Sequence, residues 1–212
     1  TTRGFLNPDD GSVFLIYRAA GMLPGNHFGV AKLDKNSDIE WAYDGYAHHD
    51  LEVMPNGQIY VLGYDVVDDI SEDFPNIEGP VLDCTLIVLD KNGKEIKALS
   101  FLDLFATSDL RTILEHISET PADPAMPIGD ILHANTIEPV PQAAIGAAPM
   151  LTPNTVMISF RNLDLLIMVD VEQEKIVIGV DDPTAERDVA IGPAHLAPFA
   201  THCEKSQIDR QA

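Results

Sequence analysis

The chain has 212 residues, 45% hydrophobic and 22% charged, with 34 Asp and Glu against 13 Lys and Arg and a formal net charge of −21. That length suits one large domain or two small ones, and the apolar share suffices for a globular core, so disorder along the whole chain is disfavoured. So acidic a surface repels phosphate backbones and anionic lipid, which argues against nucleic-acid binding and a membrane-surface role, and no apolar run nears the roughly 20 residues that span a bilayer.

Thr1 follows no basic, hydrophobic targeting segment, so the expectation is a leader already removed or never present. Cys84 and Cys203 are too few for a disulfide framework or a zinc cluster and leave the redox compartment open.

In chain order the elements are mostly strands. Val13-Phe14-Leu15-Ile16-Tyr17 is a short β-branched and aromatic run. Gln58-Ile59-Tyr60-Val61-Leu62 and Thr85-Leu86-Ile87-Val88-Leu89 follow, then Val156-Met157-Ile158-Ser159-Phe160 and Leu165-Leu166-Ile167-Met168-Val169. Each is short and bounded by Gly, Pro, Asn or Asp, as buried strands are. Residues 101–117 break the pattern: Leu102, Phe105, Leu110, Ile113, Leu114 and Ile117 recur near helical spacing, and Ser108 or Asp109 is placed to cap an inner helix. One or two helices inserted between strands are predicted there.

Three segments, 30–41, 86–97 and 166–177, share one plan: an apolar strand, an Asp (Asp34, Asp90, Asp170), a polar turn, and a second strand starting at Ile39, Ile96 or Ile176. Asn and Gly in these turns are expected to supply positive φ. Asp34-Lys35-Asn36-Ser37-Asp38 begins like a calcium loop but lacks Gly at the sixth and Glu at the twelfth place, so it is a hairpin turn. Two further segments, Met54-Pro55-Asn56-Gly57 and Leu151-Thr152-Pro153-Asn154, are Pro-Asn turns that lead into strands. One hairpin of each kind makes a four-stranded unit, and repetition of such units points to an all-β fold, a β-propeller whole or in part, with inserts at 65–83, 101–131 and 142–150. An ordinary β-sandwich is the competing fold. At about 40–50 residues per blade the chain supplies about three or four blades. It is therefore expected to be a single propeller-like domain over 1–212, or part of one, completed by more chain or by association into a homo-oligomer.

Candidate chemistry sits on the histidines. His48-His49-Asp50 directly precedes the strand Leu51-Glu52-Val53, and His133-Ala134-Asn135 precedes Thr136-Ile137-Glu138-Pro139-Val140; each is followed by a Pro-Asn turn. The two therefore hold equivalent places in successive units, and in a propeller the innermost strands line one channel. Arg161 ends the strand 156–160; a guanidinium grips tetrahedral oxyanions with a fork of N–H donors. Together these residues would make a pocket for a sulfate or phosphate ester. Singly, each has a plainer explanation: one exposed and one packing histidine, in either order, for the pair His48-His49, a backbone carbonyl as partner for His133, and Asp164 or Asp170 as partner for Arg161. No spacing supports a metal site, and no nucleophile elbow, phosphate loop or dinucleotide fingerprint is present. Cys84 is expected in the core and Cys203 free.

The residues resemble the bacterial arylsulfate sulfotransferases, which are propellers. The likeness spans about residues 29–177. It rests on Val30-Ala31-Lys32-Leu33-Asp34 with Ile39-Glu40-Trp41, on His48-His49-Asp50-Leu51 with Pro55-Asn56-Gly57, on His133-Ala134-Asn135-Thr136, and on Ile158-Ser159-Phe160-Arg161-Asn162-Leu163-Asp164. The resemblance implies that His49 and His133 are channel histidines, with His48 the fallback for the first, and that Arg161 contacts the sulfuryl oxygens. It places His48 and Asn135 in substrate binding, and it implies transfer from an aryl sulfate to a phenol through a histidine, without cofactor or metal, in a periplasmic or exported protein. In the family a Trp and a Gln-His-Asp module follow, whose histidine is the nucleophile. Here Ile178 stands at the Trp place, Gly192-Pro193-Ala194-His195-Leu196 supplies the candidate third histidine ahead of His202, and residues 178–212 match poorly. A non-catalytic propeller fragment that binds an anion or other ligand is the alternative function, and a structural protein with an acidic contact face is a third.

Overall fold

The computed structural model describes residues 4–8, 10–19, 27–117, 122–123 and 126–181. Chain order begins with a four-stranded antiparallel meander: β1 (Gly4–Leu6), β2 (Val13–Ala19), β3 (His27–Leu33) and β4 (Ile39–Tyr43). A second meander follows: β5 (Leu51–Val53), β6 (Ile59–Val67), β7 (Val81–Leu89) and β8 (Glu95–Ser100). Two short helices, α1 (Phe101–Ala106) and α2 (Arg111–Glu115), lead to β9 (Ala122–Asp123) and β10 (Met126–Gly129). Strand β10 joins the second sheet in parallel, Gly129 beside Val81. The third meander is β11 (Ala134–Pro139), then α3 (Gln142–Ala147), β12 (Thr155–Phe160), a 3₁₀ turn (Arg161–Leu163), β13 (Leu165–Asp170) and β14 (Lys175–Asp181). The protein is all-β, as expected, with the helices confined to short segments between strands.

Alternation along the second sheet sets the stacking. Ile59, Val61, Ile87 and Leu89 share one core with Phe14, Ile16 and Val30 of the first sheet. Their neighbours Tyr60, Leu62, Leu86 and Val88 share the other with Ile137, Val156, Ile158, Phe160 and Ile167 of the third. Successive strand residues point to opposite faces, so a strand apolar at every position is one buried on both sides. Strand β7 is buried at all nine positions. Each of its Val, Leu and Ile side chains stabilises by about 1.5–3 kcal/mol when fully withdrawn from water. The three meanders thus lie face to face, with the second between the others.

The three Asp-led hairpins form where the sequence places them, and the Asp is their organiser. Asp34 Oδ1 accepts from the N–H groups of Asn36 and Asp38 at 2.8 and 2.9 Å; Asp90 Oδ1 accepts from Asn92 and Lys94 at 2.8 and 3.0 Å; Asp170 Oδ1 accepts from Glu172 and Gln173 at 3.1 and 2.8 Å. A carboxylate folded over its own turn in this way stabilises the turn locally. The left-handed residue is Ser37, Gly93 or Glu174, so of the Asn and Gly expected there only Gly93 has that role. In the first two turns the Asp bond already holds the Asn N–H, and the reversal falls on the next residue.

Two further expectations need correction. The insert at 65–83 is shorter than expected, because β6 runs on to Val67 and β7 starts at Val81. The inner helix is not capped by a Ser108 or Asp109 side chain at its first turn: α2 begins after Leu110 without a side-chain cap, and the Ser108 hydroxyl instead accepts from Leu110 N–H at 3.2 Å. The side-chain cap belongs to α1, where Ser100 Oγ accepts from Asp103 N–H at 3.0 Å. Cys84 is buried in β7, as expected of a core residue; Cys203 lies outside the described residues.

Candidate functional site

The loops ahead of β5 and β11 have the same backbone form. His49 has φ 58° and His133 has φ 51°, both left-handed, a conformation that costs a residue with a Cβ roughly 1–2 kcal/mol. Hydrogen bonds hold the first loop to β6 and the second to the 3₁₀ turn after β12. His48 N–H donates to Leu62 O at 2.8 Å and Leu62 N–H to Asp50 O at 3.1 Å; Arg161 N–H donates to His133 O at 3.0 Å and Asn162 N–H to Leu132 O at 3.3 Å. Asp50, fully buried, links the two loops. Its Oδ1 accepts from Leu51 N–H at 2.9 Å and its Oδ2 from Ile137 N–H, on the third sheet, at 3.2 Å.

This framework brings His49, His133 and Arg161 together. The Nε2 atoms of His49 and His133 are 3.0 Å apart, and their rings meet edge to face with centroids 4.9 Å apart. Arg161 Nη2 is 3.2 Å from His133 Nδ1, and Arg161 Nε donates to Asn162 Oδ1 at 3.2 Å. The guanidinium is tied to neither Asp164 nor Asp170; among the described residues no carboxylate lies within ion-pair distance of it. His133 also does not bond a backbone carbonyl through its ring. Its Nδ1 meets the Asp130 carboxylate, with the two side chains 20% and 19% exposed.

His48 stands beside this group. Its Nε2 donates to Gly63 O at 3.0 Å, and its ring packs edge-on against His49 at 4.9 Å and tilted against Tyr64 at 5.4 Å. Burial pushes its pKa down to about 3, helped by the neighbouring His49, so it is neutral. His49 is also lowered, first by burial and then by His133 and Arg161. Burial disfavours a proton there, and so do the neighbours His133 and Arg161, so the ring presents an uncharged imidazole near neutral pH. Asn135 forms the bulge between Ala134 and Thr136 in the β11–β12 ladder and is half-buried. Its neighbour Ala134 donates N–H to Cys84 Sγ at 3.4 Å, and burial pushes that thiol up to about 12. His195 and His202 lie outside the described residues.

Three residues were missed from sequence. Asp130 partners His133, Asn162 holds both Arg161 and, through Nδ2 at 2.6 Å, the Asp130 carbonyl, and Tyr64 packs on His48. The Asp130-Ile131-Leu132-His133 spacing was a signal for the first, and the Arg161-Asn162 adjacency for the second.

The described residues form an all-β protein of three sheets, each built on a four-stranded antiparallel meander and the second widened to six strands by β9 and β10, that gathers imidazoles and a guanidinium where two sheets meet. The family model of the arylsulfotransferases (ASST) matches residues 1–182, and the chain belongs to that family. The match reaches beyond residues 29–177 to include the segment that forms β1 and β2. No curated protein and no solved structure gives a significant match to it. Membership supports an arylsulfotransferase-like activity in general. No helix among the described residues is long and apolar enough to cross a membrane.

Proposed function

We propose that the protein transfers a sulfuryl group from an aryl sulfate to a phenol, through a histidine, at the site made by His49, His133 and Arg161. The convergence of the two imidazoles and the guanidinium, drawn from loops far apart in the chain, carries this reading. The chemistry fits those groups. A neutral imidazole nitrogen attacks sulfur; the N–S bond forms as the aryl O–S bond breaks, and the phenolate leaves with the electron pair. In the second half, an acceptor phenol oxygen attacks the same sulfur, the N–S bond breaks, and the phenolic proton passes to a base. Arg161 and imidazole N–H groups stabilise the charge on the equatorial oxygens, as in phosphoryl transfer. His48 and Asn135 border the site as substrate contacts, and His195 is the candidate third histidine.

In the same reading the stacked meanders are blades of a propeller, β5 and β11 are inner strands, and residues 1–212 are one such domain, whole or in part. The protein works in the periplasm or outside the cell, as its family implies. A second reading, an anion-binding module without turnover, is favoured by Ile178 at the family's Trp place.

The test is release of nitrophenolate from 4-nitrophenyl sulfate with a phenol acceptor. His133→Ala and Arg161→Ala are each expected to abolish it. Activity surviving both substitutions overturns the site. Sulfate binding by the wild-type chain with no release selects the second reading.

A further inference from the structure

We propose that Asp130 is a positioning residue that fixes His133 in a single tautomer, with the proton on Nδ1 and the lone pair of Nε2 turned into the site. This rests on the reading of His133 as a sulfuryl-site histidine for its catalytic meaning, but not for its geometry.

Three groups compete at the His133 ring. The Asp130 carboxylate accepts only, and Arg161 Nη2 donates only. Both face Nδ1, which can serve one of them. The carboxylate contact is the closer, and an unprotonated Nδ1 would set a lone pair against an acceptor-only carboxylate. Nδ1 therefore holds the proton and donates it to Asp130. Arg161, at 3.2 Å, keeps its hydrogens for another acceptor.

The consequence passes along the ring. With Nδ1 protonated in the neutral imidazole, Nε2 carries the lone pair, and His49 Nε2 at 3.0 Å is the donor to it. The two histidines hence differ: His49 offers an N–H to the site and His133 an electron pair. An electrophile that displaces the His49 N–H from this contact, whether proton or sulfur, meets the His133 pair, while sulfuryl oxygens meet N–H groups of His49 and Arg161. A carboxylate behind an imidazole performs this orienting task in other enzymes.

Asp130 is itself rigidly held. Its carbonyl accepts from Asn162 Nδ2 at 2.6 Å, and the preceding Gly129 donates N–H to Pro80 O at 2.9 Å. The carboxylate is mostly withdrawn from water, so it does not swing away to solvent. Asn162 also holds Arg161 Nε, so one amide keeps the guanidinium and the orienting carboxylate at a fixed separation.

The experiment is nitrogen NMR of the full chain with labelled histidine, in wild type, Asp130→Asn and Asp130→Glu. In wild type, His133 is expected to show a protonated Nδ1 coupled to a strongly downfield proton, and an unprotonated Nε2. In Asp130→Asn the downfield proton is lost and both nitrogens move toward averaged, mixed-tautomer values. Asp130→Glu, which keeps the charge, restores part of the wild-type pattern. An unprotonated Nδ1 in the wild type, or a spectrum unchanged in Asp130→Asn, overturns the proposal without reliance on any variant's activity. In parallel, Asp130→Asn is expected to lower kcat for nitrophenolate release by about 10²–10⁴-fold with little change in KM. Wild-type spectra as expected with no release from any chain, wild type included, would support the tautomer and refute the sulfuryl transfer.

Discussion

The loops that carry His49 and His133 are the same backbone used twice, with different surroundings. Both precede the first strand of a meander, both put the histidine in the left-handed region, and both are pinned by main-chain bonds, one to β6 and the other to the 3₁₀ turn after β12. Behind His133 stands a carboxylate; behind His49 stands a second, neutral imidazole. A duplicated fold element thus supplies two coincident placements, and the side chains one turn away decide what each ring can do. Symmetry of the main chain delivers proximity, and asymmetry of the partners delivers chemistry.

The deepest break in that comparison is at the group both rings share. Arg161→Ala removes the fork of donors and is expected to abolish detectable turnover, a loss of at least about 10³-fold in kcat, with the fold intact by circular dichroism. Next comes the carboxylate that joins the two loops. Asp50→Ala leaves the N–H groups of Leu51 and Ile137 without their acceptor inside the protein, at a cost of about 2–4 kcal/mol in urea unfolding, and it lets the His49–His133 distance drift.

A smaller effect separates the two backing groups by pH. His48 is lowered to about 3 when folded and lies near 6.5 when unfolded, so below about pH 6.5 the unfolded chain binds the extra proton. Stability falls as pH drops through that window, by about 2 kcal/mol at about pH 5, and the loss is complete only below the folded value. His48→Gln, whose amide can still donate to Gly63 O, is expected to flatten that slope in denaturation midpoints measured against pH. A slope unchanged by the substitution would place the titration elsewhere.

The smallest effect is a control far from the site. A Cβ at Gly93 would run into the Trp41 ring, and its φ of +78° strains any other residue. Gly93→Ala is expected to cost about 1–2 kcal/mol, followed by fluorescence of the single tryptophan, with kcat unchanged. Loss of activity there would mean that the packing of the first two sheets reaches the histidines.

The sequence was most informative where the decisive contacts are local. Asp34, Asp90 and Asp170 bond to residues within four positions, so the hairpins were legible from spacing alone. The segment 101–117 was legible as helical because Phe101, Leu102, Leu104 and Phe105 in α1, and Ile113 and Leu114 in α2, put one apolar face on the core. Strand ends were less so: β6 and β7 extend past their apolar runs because Asp65 pairs with Asp83 and Val67 with Val81, a ladder that polar residues join as readily as apolar ones.

By itself, then, the sequence determined the strands, their Asp-led turns, and which histidines and arginine were worth bringing together, since all of these follow from periodicity and from short-range hydrogen bonding. Tertiary structure alone decided that Asp50 would bridge two sheets, that Arg161 would turn to His133 rather than to Asp164 or Asp170, and that Asp130 would stand behind one imidazole and His48 beside the other. Side-chain partners across sheets are fixed by how cores stack, and that stacking is the sum of many contacts at large sequence separation, which no local pattern encodes.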